Sequence, residues 1–492
     1  MTREAGSAAY GIGITTTKGN VMSTPAGRHG SVWLDDPGRR REPEPALHGD
    51  VETDVVVVGA GITGLTTALL AARAGMRVVV LEARRIGDGT TGYTTGKVTA
   101  QHSLIHARLV AWAGVDRARQ YADANRAGID LVADLSEELD IDCSPTRADA
   151  LVYTTSDDAT SIRAMEDEVV AAQRLSLPAT LVHESGLPFP ITAGVRFTDQ
   201  LHVHPRRYLD GLADALVAAG GTIHEHSRVT HVAEAHGRVT AETAGGTVEA
   251  ASAVVATLLP IGLLGGYFAR TRPSLSYGLA VRLRREAPAE MTISVDGRST
   301  RPWPDAGPEG LIVVGSGHEV GADVDTEGRY RDLEGWTRDT FDVADVSHRW
   351  SAHDYVTPDH VPYVGRSPLH HQVYVATGFG KWGLANGSAA GMMICDLLAG
   401  RDPAWLPVFD ARRTDGIRAV PTLVTGNLKV AAELVTGELR REAPRCSHMG
   451  CRLRWNAAEE TWDCHCHGSR FASDGQVIAG PAVKPIDVDG AG

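Results

Sequence analysis

Aromatic residues make up only 5% of this 492-residue chain, and cysteine is scarcer still, with six residues. So little cysteine in a chain this long excludes a secreted disulfide scaffold. Long apolar runs are missing too. The best stretch, AVVATLLPIGLLGGYFA from Ala253, is broken by Pro260 and several glycines, so no transmembrane segment is expected. The N-terminus, MTREAGSAAYGIGITTTKGN, has no basic start leading into an apolar block, which argues against a secretory signal. Arg39, Arg40 and Arg41 imitate a twin-arginine motif, but the polar EPEPALHGD follows them. The cytoplasm is the expected location. Positive charge is also short. At a net charge of -13 a phosphate backbone would be repelled at long range, so no nucleic-acid partner is expected.

What remains is an ordinary globular composition, 43% hydrophobic and 22% charged, long enough for two or three domains. Residues 1–50 are rich in Gly, Pro and Arg without periodicity and read as a mobile lead-in, with Met22 a second candidate start. Then comes DVVVVGAGITGLTTALLAARAGMRVVVLEARRIG, a strand, a glycine turn, a helix and a second strand. Val55–Val58 and Val78–Val80 read as buried parallel strands. Gly59 permits the tight turn, Gly61 lets the backbone approach a pyrophosphate, and Gly64 lets helix and strand pack. Glu82, at the end of the second strand, is placed to accept hydrogen bonds from an adenosine ribose. Complete with its acid, this unit is a strong dinucleotide signal. Gly378, Gly380 and Gly383 repeat the spacing, but no strand ending in an acid follows. A single such unit favours FAD over a nicotinamide cofactor.

Five further segments carry a family resemblance. They are GDGTTGYTTGKVTAQH from Gly87, LHVHPRRYLDGLADALVAAGGTIHEHSRVTHV from Leu201, ASAVVATLLP ending at Pro260, RWSAHDYVTPDHVPYVG from Arg349, and VYVATGFGKWGLANGSAAGMMICDLLAG from Val373. Their order resembles the D-amino-acid oxidase-like, or glycine/sarcosine oxidase-like, FAD-dependent oxidoreductases, in the branch with a C-terminal Rieske domain. The resemblance implies an α/β (α+β) fold with a Rossmann-like FAD-binding domain built from residues 51–140, 201–273 and 351–413. A mixed-sheet substrate domain, 141–200 with 274–350, would be inserted into it. A helical linker, 414–445, would lead to a Rieske subdomain at 446–486. Carried over by position, Gly59, Ala60, Gly61, Gly64, Glu82, Ala83 and Arg84 would hold the ADP half. Thr90, Thr91 and Gly92 would lie near pyrophosphate and flavin, with Thr95, Gly96 and Lys97 continuing along the ring. Val229, on an expected short strand, would meet the adenine. Thr257 and the run Gly380, Lys381, Trp382 and Gly383 would complete the cofactor site, before a helix whose positive end favours reduced flavin. Gly96 stands where the branch more often has alanine, and Leu384-Ala385 where Met-Thr is common. Cys143 and Cys395 lie outside the matching segments, so FAD is expected to be non-covalent.

The remaining cysteines crowd into RCSHMGCRLRWNAAEETWDCHCHGSRF, from Arg445 to Phe471. Cys446-x-His448 and Cys464-x-x-His467, with fifteen residues between them, match a 2Fe-2S site with two cysteines on one iron and two histidines on the other. Zinc is the competing reading, since Cys and His pairs at short spacing also bind it, and a plain disulfide knot is another. Gly450, Gly468-Ser469 and GPAV from Gly480 favour the iron–sulfur cluster. By resemblance to respiratory-type Rieske proteins, Cys451 and Cys466 would form a disulfide between the ligand loops. His465 replaces a usual proline and could compete as a ligand. Phe471 stands where a tyrosine often bonds a cysteine sulfur, and the strands that normally precede the first ligand loop are missing.

Joined, flavin and cluster imply oxidation of an amine or amino acid, with hydride passing to flavin and single electrons to the cluster and an unknown acceptor. That arrangement suits a dehydrogenase better than a strict oxidase. An electron carrier without organic substrate, or a redox sensor, is the alternative, distinguished by whether amines bleach the flavin. No catalytic base is assigned. His102, His202 and His204 read as structural histidines. Trp350, His353, Asp354 and Asp359 are pocket candidates, with Asp359 better suited to the turn after Pro358. Arg282 or Arg284 could receive a substrate carboxylate, although solvated arginines are the commoner case on a strand.

Overall fold

The computed structural model describes residues 25–36, 41–414 and 443–488. Apart from its ends, the expected helical linker lies outside the described residues, as does the start of the lead-in.

The inner half of the strand Val51–Val58 is fully buried. Branched side chains covered on both faces are what a parallel sheet demands. This strand runs parallel to Val78–Leu81 on one side and Gly246–Val255 on the other. Thr222–His224 and Val373–Thr377 extend the parallel array, and Tyr363–Arg366 closes one edge antiparallel. The sheet therefore draws on three separated stretches of chain. The helix Ile62–Arg73 follows the first strand and buries nearly all its residues. Its small residues admit a second helix, Gly383–Leu398, at close range: a Cβ on Gly387 or Gly391 would come within 2.7 Å of Thr63 or Thr66.

Among the described residues a second, mixed sheet has ten strands. Arg272–Leu283 pairs antiparallel with both Gly310–Glu319 and Val343–Val356. Thr146–Thr154 and Ala193–His202 pair at the other end, where Lys97–Val98 adds a short edge strand. The expected boundaries at 200/201, 273/274 and 350/351 fall inside strands of this sheet.

The lead-in is not all mobile, which corrects the expectation. Arg28–His29 joins the mixed sheet parallel to Val343–Val356. Trp33 is 1% exposed, its indole N–H donating to the Thr94 carbonyl over 2.7 Å, and Leu47 enters the core. Aperiodic Gly- and Pro-rich chain hid these anchors because each is only a residue or two held by long-range contacts.

The C-terminal module is a four-stranded antiparallel sheet, Arg454–Asn456, Thr461–Asp463, Arg470–Ala472 and Val477–Ala479. Its small core contains the four clustered cysteines with Leu453, Phe471, Val477 and Ile486. It is seated on the rest of the chain: Ala458 enters the core of the mixed sheet, and Arg228 donates to the Val477 carbonyl at 2.8 Å.

Candidate active site and metal centre

A cleft opens at the carboxyl ends of the parallel strands, where open α/β sheets bind ligands. Gly59, Ala60, Gly61, Glu82, Ala83, Arg84, Thr90, Thr91, Thr95, Val229, Thr257, Lys381 and Gly383 line it together. Gly59 turns with φ +103°, and a Cβ on Gly64 would lie 1.9 Å from the Gly59 carbonyl oxygen. Only glycine fits there. Gly61, the N-cap of helix Ile62–Arg73, supplies no side-chain cap; the Ile62 N–H donates to the Thr91 hydroxyl at 3.2 Å, and the first turn borders the cleft at Ile62 and Thr63. The Glu82 carboxylate accepts the N–H groups of Ala60 at 2.8 Å and Arg84 at 2.9 Å, while burial pushes its pKa up. The Thr90 hydroxyl donates to the His353 carbonyl at 2.8 Å.

The other expected cofactor residues stand behind the wall. Gly64 and Gly92 serve packing, with a Cβ on Gly92 falling 1.8 Å from the Gly87 carbonyl oxygen. At φ +81°, Gly96 leaves no room for alanine either, because a Cβ would approach the Val203 oxygen to 2.4 Å. Lys97 does not run along the cleft. Its ammonium donates to the Thr292 carbonyl and Ser299 hydroxyl at 2.8 and 2.7 Å, and burial lowers its pKa to about 7. The Gly380 N–H bonds the Tyr355 carbonyl, and Trp382 stacks on His102 with centroids 4.8 Å apart. Val229 lies in the loop before the strand His231–Ala235, not on a strand of its own.

Above the turn, Ser274, Ser276, Trp350 and Ser351 of the mixed sheet continue the wall, with His353 and Asp354. Asp354 accepts the backbone N–H groups of Tyr355 and Lys381, and burial raises its pKa to about 6. It thereby holds Lys381 at φ +77°. The Lys381 side chain is exposed within the cleft it lines, and burial of the site lowers its pKa. His353 is kept neutral, its pKa pushed down by burial to about 3, and both ring nitrogens are buried without a partner.

Sequence reasoning missed the far wall. His29 and Gly30 come from the lead-in, and Glu459, Thr461, Arg470 and Ala479–Gly480 from the C-terminal module. The Glu459 carboxylate accepts the Tyr330 and Ser351 hydroxyls at 2.7 and 2.5 Å, with His29 at 3.6 Å. Burial opposes its charge, yet the His29 bond and the Arg470 charge keep its pKa below the ordinary value. Nothing local distinguishes AAEE from a solvated hairpin turn, so no sequence signal could have found it.

Other candidates fall elsewhere. Arg282 is exposed and Arg284 pairs with Asp342 at 3.3 Å, so neither reaches the cleft. Asp359 accepts the Val361 N–H, shaping its turn, and forms a buried pair with Arg413 at 3.0 Å. His102 bonds Tyr121, His202 bonds Arg301, and His204 caps the helix Pro205–Ala218. Cys143 and Cys395 are buried free thiols outside the cleft.

In the module, Cys451 and Cys466 form the disulfide, while Cys446 and Cys464 are free and buried. Three sulfurs, of Cys451, Cys464 and Cys466, lie within 4.8 Å of one another, but the disulfide withdraws two of them as thiolate ligands. The Cys446 thiol shares a hydrogen bond with Cys464, which lowers its pKa to about 7. The His448 and His467 rings meet edge to face, 5.2 Å apart, and Phe268 packs against both. His448 directs Nε2 to the Gly262 carbonyl at 3.1 Å, which leaves Nδ1 for a metal, and the His467 Nδ1 is buried without a partner. Two thiols and two imidazoles fit the donor set of a Rieske pair of irons. His465 lies with Nε2 3.6 Å from the Cys466 sulfur, against the disulfide. Phe471 is fully buried among the cysteines.

Comparison with known proteins matches this layout. Residues 54–397 match the FAD dependent oxidoreductase family and residues 407–488 the Rieske 2Fe-2S domain. YhfW of Bacillus subtilis, whose name designates a Rieske 2Fe-2S iron-sulfur protein, is 30% identical over 487 residues, 90% of this chain and 95% of that one. The gamma-glutamylputrescine oxidoreductase of Escherichia coli is 26% identical, covering 80% of this chain and 92% of its own. The crystal structure of glycine oxidase from Geobacillus kaustophilus shares the fold, with TM-score 0.60 and 19% identity over 74% of this chain and 99% of that one. No helix among the described residues is long and apolar enough to cross a membrane. The chain therefore belongs to the FAD-dependent oxidoreductases of amino-acid oxidase type, an enzyme of FAD with a C-terminal Rieske domain for a 2Fe-2S cluster.

Proposed function

We propose that this enzyme oxidises a C–N bond of an amine or amino acid at bound FAD, and that the electrons leave through the 2Fe-2S cluster to a separate acceptor. The observation that carries this reading is the shared wall: the glycine turn, the mixed sheet and the cluster module border one cleft. FAD, when bound, supplies the hydride acceptor and releases its electrons singly. An internal exit for electrons favours a dehydrogenase over a strict oxidase.

The chain's own residues would bind and orient. Gly59, Gly61 and the N-terminus of helix Ile62–Arg73 would take the pyrophosphate. Glu82 would take the ribose, with Ala83 and Arg84 beside it, and Val229 the adenine. Thr90, Thr91, Thr95, Thr257 and the Gly380–Gly383 turn would seat the remainder. Cys446, Cys464, His448 and His467 would hold the iron pair. Lys381, a cation inside the cleft, would suit an anionic group on cofactor or substrate. The seated module closes the far side with Glu459 and Arg470, which limits water. The substrate class is supported by relatives, since the Escherichia coli protein is named for an amine and the Geobacillus structure is a glycine oxidase.

The test is an anaerobic panel of amines and amino acids, read as loss of flavin absorbance. Bleaching by at least one of them is expected. Bleaching only by a reduced protein partner would replace the enzyme reading with an electron carrier.

A further inference from the structure

The cleft and the cluster loop meet on one strand. His353, on Val343–Val356, lines the cleft with both ring nitrogens buried and unpartnered. Two residues on, Tyr355 reaches the module. Its hydroxyl lies 3.0 Å from the His467 carbonyl oxygen and 2.9 Å from that of Gly480. Having one proton, it donates to one of these carbonyls at a time. The His353 and Tyr355 rings are 4.9 Å apart, and Tyr355 is 1% exposed. Gly468, directly after His467, seals the junction. At φ +80°, a Cβ there would come 2.5 Å from Pro273, 2.7 Å from the Tyr355 hydroxyl and 3.2 Å from the His353 Nε2. No side chain fits between cluster loop and cleft wall.

We propose that Tyr355 is the positioning residue that fixes the His467 loop against the flavin cleft, and that His353, Tyr355 and His467 form the contact route between the two redox sites. This rests on the reading above, that flavin and cluster exchange electrons within one chain. The tyrosine is neither oxidised nor reduced, and no bond to it breaks. One electron crosses at a time, taking a diferric pair to the mixed-valence state. Two crossings empty the reduced flavin, with a one-electron acceptor clearing the cluster between them and the flavin proton released to water. A route of close-packed groups holds one geometry, as protein interiors do.

The holoprotein and two variants decide the matter. The bound flavin is reduced anaerobically by light and EDTA, while absorbance follows the flavin and EPR the cluster. In Tyr355→Phe the flavin should reduce at the wild-type rate, with the cluster signal appearing severalfold later. The EPR line shape should shift too, because the His467 and Gly480 carbonyls have lost the donor they share. His353→Leu leaves the Tyr355 bond in place, so it should slow the transfer without changing the spectrum. This second variant serves if Tyr355→Phe fails to retain its cluster. Wild-type transfer rates in His353→Leu, or in Tyr355→Phe with an unaltered spectrum, would overturn the route alone. A wild-type cluster that stays oxidised beside fully reduced flavin would overturn the functional reading and the route with it.

Discussion

The glycine turn at 59–64 and the ligand loops at 446–451 and 464–468 build their sites in opposite ways. In the turn the proposed binding groups are backbone N–H groups, and the sequence contributes by omitting side chains. Gly64 matters because a Cβ there would strike the Gly59 oxygen at 1.9 Å. In the loops the candidate ligands are four side chains, held close by a disulfide and short antiparallel strands. One site is broken by adding an atom, the other by removing a donor. Each should fail separately if both are assigned correctly.

Removing a donor has the largest effect. Cys446→Ser should abolish cluster iron while leaving the protein yellow, checked by iron analysis and visible absorbance on one preparation. Iron retained at the wild-type level would move the cluster elsewhere. Adding an atom is the mirror experiment. Gly64→Ala forces overpacking, which costs about 1–3 kcal/mol. Flavin content should fall while iron stays, measured with the urea midpoint on the same sample.

Acid gives the smallest effect and acts through histidines that burial keeps neutral. His102, His202 and His353 are buried neutral, their pKa values lowered by burial to about 3, about 2 and about 3. Unfolded, each binds a proton near its ordinary value of 6.5, so through that window the unfolded chain holds more protons. Stability therefore rises with pH from about 3 to 6.5 and is lost as pH falls through it, by at most about 1.4 kcal/mol per pH unit for each histidine. Buried carboxyls oppose this, Asp354 raised to about 6 and Glu82 and Asp210 also raised by burial, while His204 and His360, lowered by burial to about 4, add to it. The urea midpoint should be lower at pH 5 than at pH 7, and His202→Asn should flatten the difference.

How much was legible in the sequence follows from the same contrast. The glycine turn, its acid and the Cys–His frame are written in a few neighbouring residues, because local geometry and ligand spacing demand them. The disulfide followed from resemblance, and the structure forms it. What stayed hidden depends on distant partners. Glu459 looks like a solvated turn residue until Tyr330 and Ser351 close on it. Trp33 and His29 sit in aperiodic chain that acquires structure only against Thr94 and the mixed sheet. Lys97 has a lysine's usual profile, and nothing nearby reveals that Thr292 and Ser299 take its ammonium away from the cleft.

The most direct test mixes the purified protein anaerobically with an amine that bleaches its flavin, freezes the sample during the first turnover, and records the cluster EPR signal. The account predicts that the signal of the reduced, histidine-ligated iron pair grows as the flavin colour is lost. A bleached flavin beside a silent cluster, or zinc in place of iron, would contradict it.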